Sequence, residues 1–346
     1  MKYGYYPGCS LERNAAAYDV SARAVADFLG FGLDEIDDWN CCGATEYIAI
    51  NKLAAYALVA RNLALAQKQT HGAGNGYAAT GGRTQLVAPC SACFLNLRKA
   101  DLYLREDAKL REVTNEALAA GGLHYDPGSI FVRHLLDVIV ADVGYDEVKR
   151  RVVKPLAGLR VAPYYGCLIV RPRLGGELSD AEYPTELDRL MKALGAEVVD
   201  FPLKTHCCGG HMTQISMEVA YELIRRLLQN ATDYQADVIV TLCPMCQLNL
   251  DAYQTRVNQH FGTSFNLPIL YFTQMMGLAF GLEPKALGFG KEIVSAGTAL
   301  AKIGRALEPE AAAPAPRRPR KKEEGLPMPR MSAEGPREGK DEEVSS

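Results

Sequence analysis

Val87–Leu97 reads VAPCSACFLNL: an apolar run enters a C-x-x-C and closes on Leu-Asn-Leu. Thr241–Leu250, TLCPMCQLNL, repeats the arrangement. Starting slightly further back in each case, QLVAPC (85–90) and DVIVTLC (237–243) read as short strands that deliver the first cysteine of each C-x-x-C. Helical segments follow both. A strand that ends in a chemically loaded residue and passes into a helix is the unit of an α/β sheet, whose ligands gather at the carboxyl ends of the strands.

Working outward, the remaining cysteines fall into the same two groups. The first is Cys9, Cys41, Cys42, Cys90 and Cys93; the second is Cys167, Cys207, Cys208, Cys243 and Cys246. Each group is a single cysteine, a long gap, an adjacent pair before glycine, a second gap and a C-x-x-C. The gaps are 31 and 47 residues in the first group, 39 and 34 in the second. All ten cysteines belong to one group or the other. The flanks repeat too, GYYPGCS (4–10) with PYYGCLI (163–169), and NCCG (40–43) with HCCG (206–209). Repetition at this scale implies two related domains, not a solenoid of short units.

MKYGYYPG (1–8) and LRVAPYYG (159–166) are β-rich and run into their first cysteine. NAAAYDVSARAVADFLG (14–30) has apolar residues at helical spacing, with Gly30 as C-cap, and TEYIAINKLAAYALVARNLALAQK (45–68) reads as one further helix. SIFVRHLLDVIVAD (129–142) and LPILYFTQMMGLAF (267–280) read as a strand-to-helix unit in each copy. The expected fold class is α/β: two tandem related domains, 1–150 and 151–290, each with a small, mainly parallel sheet and flanking helices. A terminal helical segment (291–307) and a disordered Pro/Ala/charged tail (308–346) complete the chain. The glycine-rich THGAGNGYAATGGRT (70–84) lengthens the first pair-to-C-x-x-C gap and reads as a surface loop; it lacks the G-x-x-x-x-G-K-[ST] of a phosphate loop. RRPRKK (317–322) reads as part of a solvated tail.

The formal charge of -3 over 346 residues gives no argument for nucleic acid. No apolar run approaches the roughly 20 residues a membrane span needs, and the first residues lack a signal peptide's apolar stretch. A cytoplasmic protein is expected, with any peripheral membrane association arising through partners. Clustered cysteines in a reducing compartment point to metal or redox chemistry rather than to disulfides.

Neighbouring side chains diverge along an extended backbone, so an adjacent pair is poorly placed to clasp one small ion. Such a pair can reach two atoms of something larger. Zinc takes four ligands, and so does a cubane [4Fe–4S] cluster; either leaves one thiol of each group spare. An iron–sulfur group with five thiolate positions would use them all, and a zinc-stabilised scaffold is the rival.

The two complete groups, with YYPGCS (5–10), NCCGATE (40–46) and CCGGHM (207–212), resemble the cysteine-rich CCG domain family, and within it the B-type subunit of heterodisulfide reductase with its bacterial homologues, over about residues 1–290. The resemblance implies two noncubane [4Fe–4S] clusters, one held by Cys9, Cys41, Cys42, Cys90 and Cys93, the other by Cys167, Cys207, Cys208, Cys243 and Cys246. It implies a disulfide or thiol substrate, reduced or formed between the clusters. Its implied partners are the ferredoxin-like (C-type) and flavin-containing (A-type) subunits of a heterodisulfide reductase-like complex, since this chain carries no flavin or nicotinamide motif. Related CCG proteins also serve as relays beside succinate, glycolate or lactate dehydrogenases, passing electrons towards quinone. The first pair-to-C-x-x-C gap is longer than the family's usual mid-thirties.

Beside the cysteines, His206 is the candidate proton donor to a departing thiolate, since histidine titrates near neutral pH. His211 reads as a neighbour tuning a cluster sulfur; His71 and His134 read as loop and helix residues. Arg171, Arg173 and Lys204 are expected to hold an anionic substrate, to balance cluster charge or to lie on a solvated face. Tyr5, Tyr6, Tyr164 and Tyr165 are expected to shield the sites, and Pro7 and Gly8 to shape the turn at Cys9.

Overall fold

The computed structural model of the chain describes residues 1–44, 47–72, 76–174 and 180–305. Residues 306–346, which include the tail and RRPRKK, lie outside the described residues.

Two sheets share one topology. In the first, β1 (Lys2–Tyr5), β2 (Gly32–Glu35), β4 (Arg83–Ala88) and β5 (Ile130–His134) are parallel in the order β2-β1-β4-β5. The short β3 (Ala79–Thr80) pairs antiparallel with the start of β4. In the second, β6 (Arg160–Tyr164), β7 (Glu197–Val198), β8 (Val238–Thr241) and β9 (Ile269–Tyr271) are all parallel in the order β7-β6-β8-β9. The strand order of each sheet reverses between its two central strands, where ligands of open α/β sheets bind.

The expected first helix is α1 (Ala16–Leu29), closed by Gly30 at φ 83, whose N–H reaches Ala26 and Asp27. Two sequence expectations are corrected. The helix expected over 45–68 breaks at Asn51 into a short turn, Tyr47–Ile50, and α2, Lys52–Gly72. Asn51 Oδ1 accepts the Ala54 N–H at 3.0 Å, so its side chain starts a new helix instead of continuing the old one. The glycine-rich stretch is not a plain loop. Tyr77 bridges to Lys2, and β3 turns into β4 through Gly81 and Gly82, at φ 57 and 76, the positive values a two-residue hairpin turn demands.

The C-x-x-C helices are α3 (Ser91–Glu106) and α6 (Pro244–Ala252), with Cys90 and Cys243 at their N-caps. The copies are bound by reciprocal packing. On one side α1 meets α7 (Phe272–Ala279): Tyr18 stacks on Tyr271 at 4.3 Å, Phe28 on Phe280 at 4.6 Å, and Ser21 and Thr273 share a 2.6 Å hydrogen bond. On the other, α4 (Glu186–Ala193) meets the helix Tyr145–Arg151; the Tyr145 hydroxyl donates to the Glu186 carbonyl, and Arg189 covers the Tyr145 ring. α5 (Met217–Asp233) covers the second sheet with Ile224, Leu227 and Leu228. One continuous apolar core runs through both copies. Among the described residues no helix is long and apolar enough to cross a membrane.

Candidate functional site

The strand ends place each cysteine. Cys9, Cys41–Cys42 and Cys90 follow β1, β2 and β4; Cys167, Cys207–Cys208 and Cys243 follow β6, β7 and β8. All ten are free thiols. In the first group the sulfurs of Cys9 and Cys41 lie 3.5 Å apart, and those of Cys42 and Cys93 3.4 Å apart. In the second, the sulfurs of Cys208 and Cys246 are 3.5 Å apart, and Cys167 and Cys207 are near enough to shift each other's titration. The adjacent thiols of each pair differ in exposure: Cys42 and Cys208 are buried, whereas Cys41 is exposed and Cys207 half-buried. The groups also approach each other: the Tyr18 hydroxyl bridges the carbonyls of Pro89 and Leu242, the residues before Cys90 and Cys243, and the two thiols shift each other's titration.

The supporting residues are duplicated with the thiols. The hydroxyl of Tyr6 donates to the Asn40 carbonyl at 2.7 Å, and that of Tyr164 to the His206 carbonyl at 2.7 Å, fixing the residue before each pair. Asn96 Nδ2 donates to the Cys42 carbonyl at 3.2 Å; Asn249 Nδ2 donates to the Cys208 carbonyl at 3.3 Å, the Cys208 sulfur at 3.5 Å and the Gly210 carbonyl at 2.8 Å. These are the asparagines of the two Leu-Asn-Leu repeats. Gly8 and Gly166, at φ 76 and 70, precede Cys9 and Cys167; a Cβ there would stand 2.8 Å from the Cys93 sulfur and 2.9 Å from the Cys246 sulfur. Glycine is needed at both for backbone and for space.

The first group accommodates one thiolate readily and the second two; the remaining thiols of each resist ionisation. Hydrogen bonds from Cys42 and Cys9, with the N–H groups of Gly43 and Ala44, pull Cys41 down to about 2. Those from Cys167 and Cys208, with the Gly209 N–H, pull Cys207 to about 3. Their neighbours move the other way: the bond with Cys41 pushes Cys42 up to about 12, and that with Cys207 does the same to Cys208. Cys9, Cys167, Cys90, Cys93 and Cys246 are also raised, each first by a hydrogen bond to a neighbouring thiol and then by burial. Cys243, at the N-terminus of α6, is lowered by bonds from Cys246 and Cys90 and by backbone N–H groups. Five thiolates so close together require a polycationic centre between them. The sulfurs come as close pairs, and among the described residues no three His, Cys, Asp or Glu side chains are set to hold one metal ion. That donor set fits a multinuclear group better than a four-ligand single ion.

The other sequence candidates separate clearly. His206 is exposed beside Cys207, and His211 is half-exposed two residues beyond the pair. Lys204 does not lie on a solvated face: it is 1% exposed, bonds Asp188 at 3.0 Å and sits over the Tyr183 ring, and its carbonyl accepts the N–H groups of Tyr165 and Gly166. It anchors the turn before Cys167. Arg171 is exposed and pairs with Glu182; Arg173 is exposed. Tyr5, Tyr6, Tyr164 and Tyr165 are fully buried. His71 lies in the last turn of α2, on the surface and not in a loop, and His134 is not a helix residue. It ends β5, buried at the Cys90–Cys243 junction. A cleft of about 160 Å³ lies beside the first group, lined by Cys42, Tyr56, Asn96, Lys99 and, from the second copy, Leu168, the neighbour of Cys167. An open groove of about 700 Å³ exposes Cys9 and Cys41 between Glu12, Asp37 and Trp39.

Comparison with known proteins agrees with this duplication. The family model for the CCG cysteine-rich domain matches twice, at residues 3–98 and 161–251, more than half of the chain. The chain is 34% identical over 295 residues to the 8-methylmenaquinol:fumarate reductase membrane anchor subunit of Wolinella succinogenes, covering 85% of this chain and 98% of that one. It is 28% identical over 305 residues to the B-type subunit of the ferredoxin:CoB-CoM heterodisulfide reductase of Methanosarcina mazei, covering 87% and 97%. A crystal structure of a hypothetical protein from Helicobacter pylori shares the fold, with a TM-score of 0.67 at 14% identity over 85% of this chain; the alignment spans about half, 52%, of that chain. With both cysteine groups complete, both sheets alike and the family model matched in each half, the chain belongs to the CCG cysteine-rich domain family.

Proposed function

We propose that the chain is the iron–sulfur electron-transfer subunit of a heterodisulfide reductase-like oxidoreductase, with one noncubane [4Fe–4S] cluster on each five-cysteine group. The observation that carries this is the approach of two complete thiol groups to each other at Cys90 and Cys243, with a cleft beside the first group that Cys42 and Leu168 both line. When bound, the clusters would supply electrons singly to a two-electron reaction. That reaction breaks one S–S bond, consumes two electrons and two protons, and yields two thiols; the reverse forms the disulfide.

The chain's own residues do the rest. Tyr6, Tyr164, Asn96 and Asn249 fix the adjacent pairs, and the buried tyrosines exclude water. His206, exposed beside Cys207, gives a proton to the departing thiolate sulfur. The mixed apolar wall of the cleft and Lys99 suit a thiol compound with an anionic group. The groove that exposes Cys9 and Cys41 suits the approach of an electron-carrying partner, in keeping with the ferredoxin-like and flavin-containing subunits of such a complex.

A relay reading has one observation in its favour: the identity to the fumarate reductase subunit, 34%, exceeds that to the heterodisulfide reductase subunit, 28%. In that reading the same clusters pass electrons between a flavoprotein dehydrogenase and quinone, without disulfide chemistry. Metal analysis of anaerobically purified protein comes first. Iron with acid-labile sulfide is expected, and zinc without sulfide would leave only a scaffold. Candidate disulfides are then added to the reduced native complex. A new paramagnetic signal supports the reductase; none with any disulfide, alongside a co-purifying flavoprotein dehydrogenase, supports the relay.

A further inference from the structure

The open groove at the first group is walled by acids. Glu12, Glu35, Asp37 and Asp38 line it beside Cys9 and Cys41, and among the described residues no lysine or arginine does. Glu35 is paired with Arg23 and Asp38 with Arg61, whereas Glu12 and Asp37 are exposed and meet no cation among the described residues. Thiolate ligands at Cys9 and Cys41 would add negative charge to the same wall. Carboxylates beside them increase the repulsion, so they do not serve to hold the centre. A cationic face laid over the groove would relieve it.

The second copy keeps the cysteines and drops the acids. Counted from the paired cysteines, Asp37, Asp38 and Trp39 correspond to Leu203, Lys204 and Thr205; counted from the single cysteine, Glu12 corresponds to Val170. Lys204, Thr205 and Val170 are buried, and Cys167 and Cys207 are half-buried where Cys9 and Cys41 are exposed. What both copies carry suffices to build a thiol group, so what only the first carries is free for another role. Trp39, the one tryptophan of the chain, stands in the groove wall, its Nε1–H donating to Glu35 at 3.0 Å and its ring edge-on to Tyr6 at 5.4 Å. Just past the pair, Tyr47, Ile48 and Ile50 are exposed, Ile50 by 80%. Aromatic and apolar side chains beside a charged wall are the material of a protein interface.

We propose that this groove is the docking face for a redox protein that carries lysine or arginine side chains around its own exposed centre, and that this partner exchanges electrons with the first group and not the second. The inference deepens the iron–sulfur reading above and rests on it. One electron passes between the first centre and the partner's centre; one is oxidised, the other reduced, and no bond forms or breaks. Opposite charges guide the encounter. Steering of this kind speeds association by about 10- to 1,000-fold and weakens as salt is added.

The probe is cytochrome c, whose exposed haem edge is ringed by lysines, alongside the same protein with its lysines acetylated, which keeps the haem and loses the charge. Full-length chain, purified anaerobically with its iron and sulfide, is reduced and mixed with each. Haem reduction is followed by stopped flow at about 10 and about 150 mM salt, over which the screening length falls from about 30 to about 8 Å. The native chain is expected to reduce cytochrome c about tenfold faster at low salt than at high, and Glu12→Lys/Asp37→Lys to lose that advantage. Glu116→Lys, which reverses an exposed carboxylate on the helix Ala108–Ala119, should leave the rate unchanged. Equal rates for the native chain and the double variant at native iron content overturn the proposal, as do equal rates with acetylated cytochrome c. A native chain without labile sulfide overturns the iron–sulfur reading instead. The docking face is then read by carbodiimide cross-linking to cytochrome c, which needs no centre, and the same measurement on the native chain decides if the double variant fails to load iron. Joining at Glu12 or Asp37 supports the face; joining elsewhere, or none, refutes it.

Discussion

Gly8 and Gly166 allow the support of each site to be tested separately. Placing alanine at either imposes a left-handed backbone, at φ 76 and 70, costing about 1–2 kcal/mol. It also sets a methyl 2.8 Å from the Cys93 sulfur or 2.9 Å from the Cys246 sulfur. Ordinary contact begins near 3.4 Å, so the sulfur or the backbone must yield by about half an ångström. Metal-ligand distances tolerate about 0.2 Å, so the displacement exceeds what a loaded site can absorb. Gly262 is the control: its φ is 66, and nothing lies within 4 Å of the added Cβ. Gly262→Ala should lower the melting temperature by about 2–4 °C per kcal/mol lost and leave metal content intact. Gly8→Ala and Gly166→Ala should each lose about half of the bound iron and sulfide, Gly8→Ala from the first group and Gly166→Ala from the second. Calorimetry together with iron and sulfide analysis of the three variants reads both effects. Full metal content in the two site variants, with melting temperatures equal to that of Gly262→Ala, would refute the claim that these glycines exist to make room for ligand sulfurs.

Tyr18→Phe removes the donor shared by the Pro89 and Leu242 carbonyls and should cost about 1–3 kcal/mol, measured by denaturant unfolding; an unchanged midpoint would mean that water replaces the hydroxyl. Asn249→Asp sets a carboxylate against the Cys208 carbonyl and sulfur, and should strip metal from the second group alone; Asn96→Asp should do so from the first. Lys204→Met leaves Asp188 without its buried cation and should destabilise by about 3 kcal/mol, with partial recovery in the Lys204→Met/Asp188→Leu double variant; additive losses would show that the pair is not coupled.

The sites were legible wherever the chemistry is carried by residue type. Cysteine spacing alone gives both thiol groups, and the strand-like runs before them place the sites at the carboxyl ends of parallel sheets. Three further signals were present but were read as flanking repetition, as loop or as the interior of a helix. The asparagine of each Leu-Asn-Leu is a polar residue between buried leucines, which calls for a partner; Asn96 and Asn249 find it in the adjacent cysteine pairs. The Gly81–Gly82 dipeptide is a hairpin signal, and Asn51 is a helix start, because its side chain competes for the backbone N–H groups that a continuous helix would use. What could not be read is anything that depends on distant elements meeting in the fold. Lys204 looks like a surface cation until Asp188, from α4, closes over it. His134 looks ordinary until residues 242 and 243 arrive beside it.

That last dependence bears on why the pattern is duplicated within one chain. Each sheet delivers its own cysteines, but α1 of the first copy packs on α7 of the second, and α4 of the second on the helix Tyr145–Arg151 of the first. The junction is therefore walled by both copies: Tyr18 of the first bonds the residue before Cys243 as well as the residue before Cys90. Two separate single-motif proteins would leave Cys90 and Cys243 at solvent-facing strand ends, where water screens thiolate repulsion and breaks the contact between the sites. Fused and interlocked, they bury both thiols in one low-dielectric centre while Cys9 and Cys41 stay exposed at the opposite edge of the first group. The first copy thus has a surface end and an interior end, the arrangement that the proposed electron transfer from a partner to the junction calls for.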